Sequence, residues 1–310
     1  MTFGNSPINW YSGSVNLMFN QTKKLQIAML VGLALLMVAS AQVYFYFKKA
    51  PSKNFPENLK YSQSLSEERR PLPNPKDQSW TVKIPILMYH HIGELPPKAS
   101  QMREDLTVSA NDFEEQVKWL KDSGYTSIHL NDILLYSQGE FTMPKKSVVF
   151  TFDDGYDDVF INTIPILKKY GFNGTFGIIT QYPKTVSSDS FYASWEDIAA
   201  AYQAGNEIVC HTQNHFDGLE TKYTPEYIFQ NLSGCQLDIK NHLGIAEPIM
   251  IYPYGRYNAS YIKQANRTGI IMGVTVHEGD IINLDNLMEI PRVRVHGHQN
   301  FEKFKLLVAK

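Results

Sequence analysis

From residue 81 onward, short apolar runs alternate with stretches in which apolar residues recur at helical spacing. The runs have the length of strands and lie at 84–89, 126–130, 147–152, 174–180, 207–210, 248–252, 270–276 and 290–295. Between them, Phe113, Val117 and Leu120 fit one helical face that stops at Gly124, and 224–242 is the longest predicted helix. This alternation is typical of β/α units built on parallel strands, so we expect an α/β fold.

A second strong pattern lies near the N-terminus, where residues 25–47 carry no charge and are about as long as a helix that crosses a bilayer. We expect a single transmembrane anchor there. Lysines flank it at 23–24 and at 48–49, so the positive-inside rule does not set its orientation. A cleaved signal peptide is the alternative, because the small residues 39–41 resemble a cleavage site, although the run is long and ends in bulky aromatics.

These patterns divide the 310 residues into four parts. Residues 1–24 are the predicted cytoplasmic segment and 25–47 the anchor. Residues 48–80 form a linker of prolines and polar residues, a composition that cannot bury a core. Residues 81–310 form the predicted folded domain.

Charge and cysteine content exclude some classes of protein. The formal net charge of −2 provides no basic footprint for nucleic acid, so we expect no nucleic-acid partner. The two cysteines, Cys210 and Cys235, exclude both a disulfide framework and a zinc-finger spacing. We expect two buried thiols, with a single bridge between them as the alternative.

The sharpest local motif is SVVFTFDDGY at 147–156, where an apolar strand ends in Asp153, Asp154 and Gly155. Ligands bind at the carboxyl ends of parallel strands, so a function is expected for these acids. Consecutive side chains leave an extended backbone in different directions, which lets one carboxylate hold a metal while the other faces a substrate water. The alternative is an ordinary Asp-Gly turn.

A second strand-like run, EIVCHTQNH at 207–215, leads into His211 and His215. Two imidazoles four residues apart can converge on one ion, although surface or core histidines give the same spacing. A strand-end aspartate would supply a third ligand. Two histidines, one carboxylate and open positions describe a catalytic metal site, whereas a structural zinc is closed by four protein ligands.

A third run, IMIYPYGRY at 249–257, ends in a turn shaped by Pro253 and Gly255. An exposed main-chain N–H near Tyr254 would face a developing oxyanion. A plain aromatic turn is the alternative.

In type and in chain order, the three motifs resemble the polysaccharide deacetylase family, carbohydrate esterase family four with its NodB-homology domain. TFDDG is present letter for letter, and HTQNH fits the family's H-[ST]-x-x-H. The resemblance extends over about 81–300 and implies a distorted (β/α) barrel of about seven strands. It also implies that Asp153 is the general base and that Asp154, His211 and His215 bind a divalent metal. Zinc suits these ligands, and cobalt, nickel or iron are alternatives.

The chain departs from the family pattern at two places, which limits the residue roles that the resemblance implies and indicates a subgroup. Ile251 stands where the third motif usually has arginine, so the oxyanion role is carried over only to the backbone of Tyr254. The late Leu-x-His that carries the family's acid is not evident. LMYHHI at 87–92 and IPRVRV at 290–295 instead resemble the subgroup that deacetylates poly-N-acetylglucosamine, in which the acid histidine comes from the first strand.

This subgroup resemblance implies His90 as the general acid, with His91, His296 and His298 as alternatives. Arg292 is expected to orient or polarise the base, with Arg294 as its rival. Either arginine is otherwise an exposed charge on a strand.

The function implied is metal-dependent release of acetate from an N-acetylglucosamine polysaccharide, with poly-N-acetylglucosamine of biofilms favoured. The domain would face outward from the cell membrane. A peptidoglycan deacetylase and an inactive carbohydrate-binding relative are the alternatives. Aromatic residues that could stack on sugar rings are Tyr156, Tyr192, Trp195 and Tyr257.

Overall fold

The structure is a computed structural model that describes residues 67–68, 80–186 and 190–309. The predicted segment 1–24, the predicted anchor 25–47 and most of the predicted linker lie outside these residues. Within the described ranges, no helix has both the length and the apolarity needed to span a bilayer.

Seven parallel strands of the described chain close into a barrel, and an eighth short strand extends it at one place. The strands are β1 Ile86–Tyr89, β2 Thr126–Ser127, β3 Ser147–Phe152, β4 Thr175–Ile178, β5 Glu207–Cys210, β6 Ile249–Ile251, β7 Met272–Glu278 and β8 Ile290–Arg294. Around the barrel the order is β1, β8, β7, β6, β5, β4, β3, and β3 pairs with β1 to close it. The short β2 pairs with the start of β3. The eight predicted strands and the expected barrel of about seven are confirmed.

Helices connect the strands on the outside. They are α1 Gln101–Leu106, α2 Ala110–Asp122, α3 Leu130–Gln138, α4 Asp157–Tyr170, α5 Trp195–Gln203, α6 Pro225–Leu243, α7 Ala259–Arg267 and α8 Phe301–Ala309. The predicted long helix is α6, and its ends follow from local chemistry. Thr224 accepts a hydrogen bond from the Tyr227 N–H, Pro225 takes the first helical position, and Gly244 ends the helix at φ 72°.

Three small pairings lie beside the barrel. Glu67–Glu68, in the predicted linker, pairs with Met143–Pro144. Thr81–Lys83 pairs with Ile281–Asn283. His91–Ile92, directly after β1, pairs with Thr107–Val108.

Side chains alternate between the inside and the outside of the barrel, as a strand requires. Ile86, Val149, Val209, Ile251 and Val274 belong to one buried cluster that fills the barrel. The intervening residues of β1 and β3, among them Leu87 and Phe150, pack in a second cluster with the surrounding helices. Continuing the inward series of β3 beyond Val149 leads to polar residues, so the carboxyl end of the barrel is polar inside.

The two cysteines form a disulfide, so the expectation of two free thiols is wrong. The bond joins the end of β5 to α6, and both residues are fully buried in a third apolar cluster. The Cα atoms of Cys210 and Cys235 lie 6.0 Å apart, within the range that a disulfide requires. The sequence could not reveal this because α6 brings Cys235 back over β5 after 25 residues.

We predict that the double variant Cys210→Ala/Cys235→Ala unfolds with a free energy about 3 kcal/mol smaller than the wild type, because the closed loop no longer restrains the unfolded chain. Urea unfolding measures this, and the wild type after reduction should behave like the variant. Thiol titration of the unfolded, unreduced wild type should find no free thiol. Two reactive thiols before reduction would contradict the disulfide.

Candidate functional site

The loops after β3, β5 and β6 meet at the carboxyl end of the barrel, where parallel α/β folds place their active sites. Four residues in these loops adopt left-handed backbone, namely Asp154 (φ 75°), Thr212 (φ 66°), His215 (φ 55°) and Tyr254 (φ 57°). Such conformations cost energy in residues other than glycine and occur preferentially at functional sites. The strained backbone at these four positions therefore marks the three loops as a candidate functional site.

The structure brings Asp154, His211 and His215 together. Nε2 of each histidine lies 3.2 Å from Oδ1 of Asp154, and the three candidate ligand atoms are within 4.8 Å of one another. Asp154 and His211 are buried, and His215 is partly exposed. This group is the one set of three or more such side chains found within metal-binding reach in the described part of the chain.

Hydrogen bonding fixes the orientation of His211. Its Nδ1 lies 2.8 Å from the carbonyl oxygen of Ile251, which can only accept, so Nδ1 carries the proton and donates it. In the neutral ring, Nε2 then presents a lone pair toward Asp154. A backbone carbonyl behind a ligating imidazole is a common arrangement in metal sites.

The donor set fits a divalent metal ion. A histidine lone pair facing a carboxylate oxygen at 3.2 Å is stable only with positive charge between them, either a proton or a metal ion. Burial alone would raise the pKa of Asp154, but the two histidines outweigh it and hold the pKa well below its usual value. Asp154 is therefore ionised and positioned as a ligand.

Asp153 is held by Arg292 of β8, a strand that only β1 separates from β3. Nη1 and Nη2 of Arg292 donate to Oδ1 and Oδ2 of Asp153, both at 2.7 Å, in a bidentate pair. The guanidinium also donates to the hydroxyl of Thr151 and the carbonyl of Thr275, and it is fully buried. Burial would raise the pKa of Asp153, but the Arg292 charge and hydrogen bonds lower it below the usual value.

The two aspartates diverge for a reason other than the one expected from the sequence. Alternation along an extended strand was expected to separate them. The strand instead ends at Phe152, and Asp154 turns into the left-handed region, where it points to the histidines. Both carboxylates are buried next to each other, one paired with Arg292 and the other with two histidines.

Among the four histidines considered as the acid, the geometry favours His90. Its Nε2 lies 3.9 Å from Oδ2 of Asp153. Burial, with a contribution from Arg292 and Arg294, lowers the pKa of His90 to about 4 despite the nearby aspartates. The imidazole is therefore neutral at pH 7 in the free site.

The three rival histidines pair with other carboxylates. His91 leaves β1 on the other side, bonds Asp158 of α4 at 3.0 Å and stacks on Tyr156. His296 and His298 approach Asp105 at 2.8 and 3.5 Å. The rival arginine, Arg294, lies 3.6 Å from the same Asp105.

The third motif closes one side of the site. The ring of Tyr254 lies 4.4 Å from that of His215, and its side chain is largely exposed. Gly255 follows at φ 65°, and a Cβ at this position would collide with Val276. The turn thus brings the ring of Tyr254 beside His215, one of the proposed metal ligands.

Sequence reasoning missed three groups that hold the site in place: the hydroxyl of Thr151, the carbonyl of Thr275 and the carbonyl of Ile251. Thr151 bonds the Leu87 carbonyl and Arg292, so it braces the guanidinium. Its place in TFDDG, two residues before Asp153 and on the same face of β3, was the available signal. The two carbonyls carried no sequence signal, because any residue supplies one.

A family model and a known relative both match this chain. The family model described as polysaccharide deacetylase matches residues 141–273, which include all three motifs. The chain is 32% identical over 215 residues to YxkH of Bacillus subtilis strain 168, whose name places it among the polysaccharide deacetylases. That alignment covers 69% of this chain and 71% of YxkH. The chain belongs to the polysaccharide deacetylase family.

Two further similarities refine the comparison. The deacetylase is 27% identical over 209 residues to the poly-beta-1,6-N-acetyl-D-glucosamine N-deacetylase of Staphylococcus aureus strain MRSA252, covering 64% of this chain and 70% of that one. It superposes on the Streptococcus pyogenes deacetylase PplD, solved in complex with acetate, with a TM-score of 0.66 and 28% identity, covering 74% and 99% of the two chains. Family membership makes this chain a hydrolase of N-acetyl amide bonds in a polysaccharide.

We predict that Asp154→Asn and His211→Ala bind a divalent ion at least roughly tenfold more weakly than the wild type, because each loses a ligand. Asp153→Asn should retain the ion, since Arg292 and not the metal site holds that side chain. The measurement is the zinc content of each protein after dialysis against increasing concentrations of a chelator, which does not depend on enzymatic activity. Equal metal retention in all four proteins would contradict the assignment of ligands.

A second prediction concerns the pH dependence of the base. Arg292→Met removes the charge that keeps the pKa of Asp153 low, so burial should raise that pKa and shift the acid limb of kcat/KM to higher pH. The variant also leaves a buried carboxylate uncompensated, at a cost of about 3–5 kcal/mol of unfolding free energy. Arg292→Lys keeps the charge and should move the limb less.

Arg294→Met is the matched control, because Arg294 lies on the same strand but pairs with Asp105. Its acid limb should stay near that of the wild type. The pairing of Arg292 with the base would be refuted by an acid limb that stays in place in Arg292→Met while the variant remains folded.

Proposed function

We propose that this deacetylase uses a divalent metal ion, zinc by preference, to release acetate from a poly-N-acetylglucosamine polysaccharide outside the cytoplasm. The observation that carries the proposal is the pairing of two adjacent carboxylates with different partners. Asp154 meets two histidines in a metal-binding arrangement, and Asp153 beside it is ionised and held by Arg292. In this proposal Asp154 is a metal ligand and Asp153 is the general base.

The proposed ligands of the ion are the carboxylate of Asp154 and Nε2 of His211 and His215. Three protein ligands leave positions open, as in catalytic rather than structural sites. When bound, the ion would supply Lewis acidity to the acetyl carbonyl and lower the pKa of a water molecule. Nitrogen and oxygen donors suit zinc, and cobalt, nickel or iron are compatible with the same set.

The proposed general base is Asp153. Its carboxylate takes a proton from the attacking water, which then adds to the acetyl carbon. The bidentate contact with Arg292 fixes both oxygens, so the base is oriented before substrate arrives. Because the pKa of Asp153 is low, the carboxylate is ionised throughout the neutral range.

The proposed general acid is His90. Its ring is neutral in the free site, so the proton for the departing amine has to enter during the reaction. The water proton received by Asp153 can pass to Nε2 of His90, 3.9 Å from Oδ2, once negative charge develops nearby. The imidazolium then protonates the sugar nitrogen as the C–N bond breaks.

The proposed oxyanion donor is the backbone N–H of Tyr254. The left-handed conformation of this residue and its place beside His215 support the role. A fixed main-chain donor stabilises negative charge without reorganisation.

One observation supports a location outside the cytoplasm, anchored by the predicted helix at 25–47. Disulfides persist in oxidising compartments, and Cys210 and Cys235 form one. The S. aureus relative, named for poly-beta-1,6-N-acetyl-D-glucosamine, supports the choice of polymer.

The full chain should release acetate from N-acetylglucosamine oligomers with β-1,6 linkage faster than from cell-wall glycan, and a chelator should stop the release. Asp153→Asn should lose roughly 10²- to 10⁴-fold in rate while keeping its metal. Acetate release measured on both substrates in parallel tests the proposal. Faster release from cell-wall glycan would favour a peptidoglycan deacetylase. Binding of oligomers without any acetate release would favour an inactive relative.

A further inference from the structure

A cavity of about 410 Å³ lies between the start of α4 and the start of α5, outside the site described above. Residues of both helices line it, together with Lys184 and Tyr192 from the chain that precedes α5. Its volume falls within the range of small-ligand sites. None of the proposed catalytic or metal-binding residues lines it.

The cavity adjoins the catalytic end of the barrel. Asp157, in its wall, stands three residues after Asp154. Tyr192, also in its wall, forms a β-bridge with Tyr156, and their rings lie 4.9 Å apart. One short stretch of chain therefore contributes both to the proposed metal site and to the cavity.

The cavity carries an excess of negative charge. Asp157 and Asp197 both line it. Oδ2 of Asp197 accepts hydrogen bonds from the N–H and the hydroxyl of Ser194, and the one lysine in the lining, Lys184, is paired with Glu196 at 2.9 Å. Burial raises the pKa of Asp157, and the charges of Asp158 and Asp197 raise it further. Repulsion between these carboxylates is relieved when a cation enters, so the electrostatics favour a positively charged ligand.

Apolar and aromatic surface accompanies the carboxylates. Ile161, in the wall, is 66% exposed, and the ring of Tyr192 is partly exposed. Phe191, whose carbonyl accepts a hydrogen bond from the Asp157 N–H, is 60% exposed. Rings and methyl groups next to hydrogen-bond acceptors suit a sugar, which has apolar C–H faces and polar edges.

We propose that this cavity is a subsite for a deacetylated, positively charged glucosamine unit that neighbours the acetylated unit under attack. The inference rests on the proposed function, because the reaction itself creates such units in the polymer. A deacetylase with this subsite prefers partly deacetylated chains and acts repeatedly near amines that it has already produced. Asp157 holds the ammonium group, Asp197 adds negative charge beside it, and Tyr192 packs against the ring.

The test is a binding titration of the full chain with two trimers of the same linkage, one of glucosamine and one of N-acetylglucosamine. At pH 6, where the amines are protonated, calorimetry should give a Kd about fivefold lower for the glucosamine trimer, the gain expected of a partly exposed charge pair. The preference should shrink as salt rises and should disappear in Asp157→Asn. Asp122→Asn, an exposed carboxylate on α2 paired with Lys118, is the matched control and should keep the preference.

Ala200→Trp provides a second variant that fills the cavity without removing charge, and it should weaken binding of the glucosamine trimer. Thermal unfolding establishes that each variant is folded. Equal Kd values for the two trimers, or a preference that survives in folded Asp157→Asn and Ala200→Trp, would overturn the subsite. Because binding requires no turnover, intact preference without acetate release counts against the proposed function alone. Intact acetate release with equal Kd values counts against the subsite alone.

Discussion

Two carboxylates stand side by side, buried, at the end of one barrel strand, and the rest of the site follows from how each is compensated. Asp153 and Asp154 would repel each other and lose their hydration if left alone. Arg292, two strands away on β8, neutralises the first, and two histidines approach the second. The proposed division of labour between base and ligand thus follows from the side chains that each carboxylate meets, a guanidinium for Asp153 and two imidazoles for Asp154.

The barrel makes this compensation geometrically feasible. Closure of β3 onto β1 and of β1 onto β8 brings Arg292 within hydrogen-bond distance of a carboxylate 139 residues earlier in the chain. Thr151 and the Thr275 carbonyl accept hydrogen bonds from two further donors of the guanidinium, so its orientation is fixed by neighbouring strands. The same inward register places His90 near the base and sends His91 to α4. Left-handed backbone at Asp154, His215 and Tyr254 completes the arrangement at an energetic cost that the packed loops offset.

Much of this was readable from the sequence, for identifiable reasons. Apolar runs of strand length located the eight strands of the barrel sheet. TFDDG and HTQNH identified the carboxylates and histidines because the carboxyl ends of parallel strands meet at one end of the barrel. The sequence did not settle several contacts between residues that are distant in the chain. The pairing of Arg292 with Asp153, the choice of His90 over three other histidines, and the bracing carbonyls depend on barrel closure. The expectation of two free thiols was wrong for the same reason, because α6 packs against β5 only in the folded structure and so brings Cys235 to Cys210. The direction of Asp154 was also misjudged, because strand alternation does not anticipate a left-handed residue.

The central claim is that a metal ion binds to Asp154, His211 and His215 while Asp153 stays with Arg292. A crystal structure of the zinc-loaded protein, with anomalous scattering recorded at the zinc edge, tests it most directly. The account predicts one strong anomalous peak about 2.0–2.2 Å from the Asp154 carboxylate and from Nε2 of both histidines. Asp153 should remain in its bidentate contact with Arg292. A peak located elsewhere, or an ion bound by Asp153 with its contact to Arg292 broken, would contradict the account.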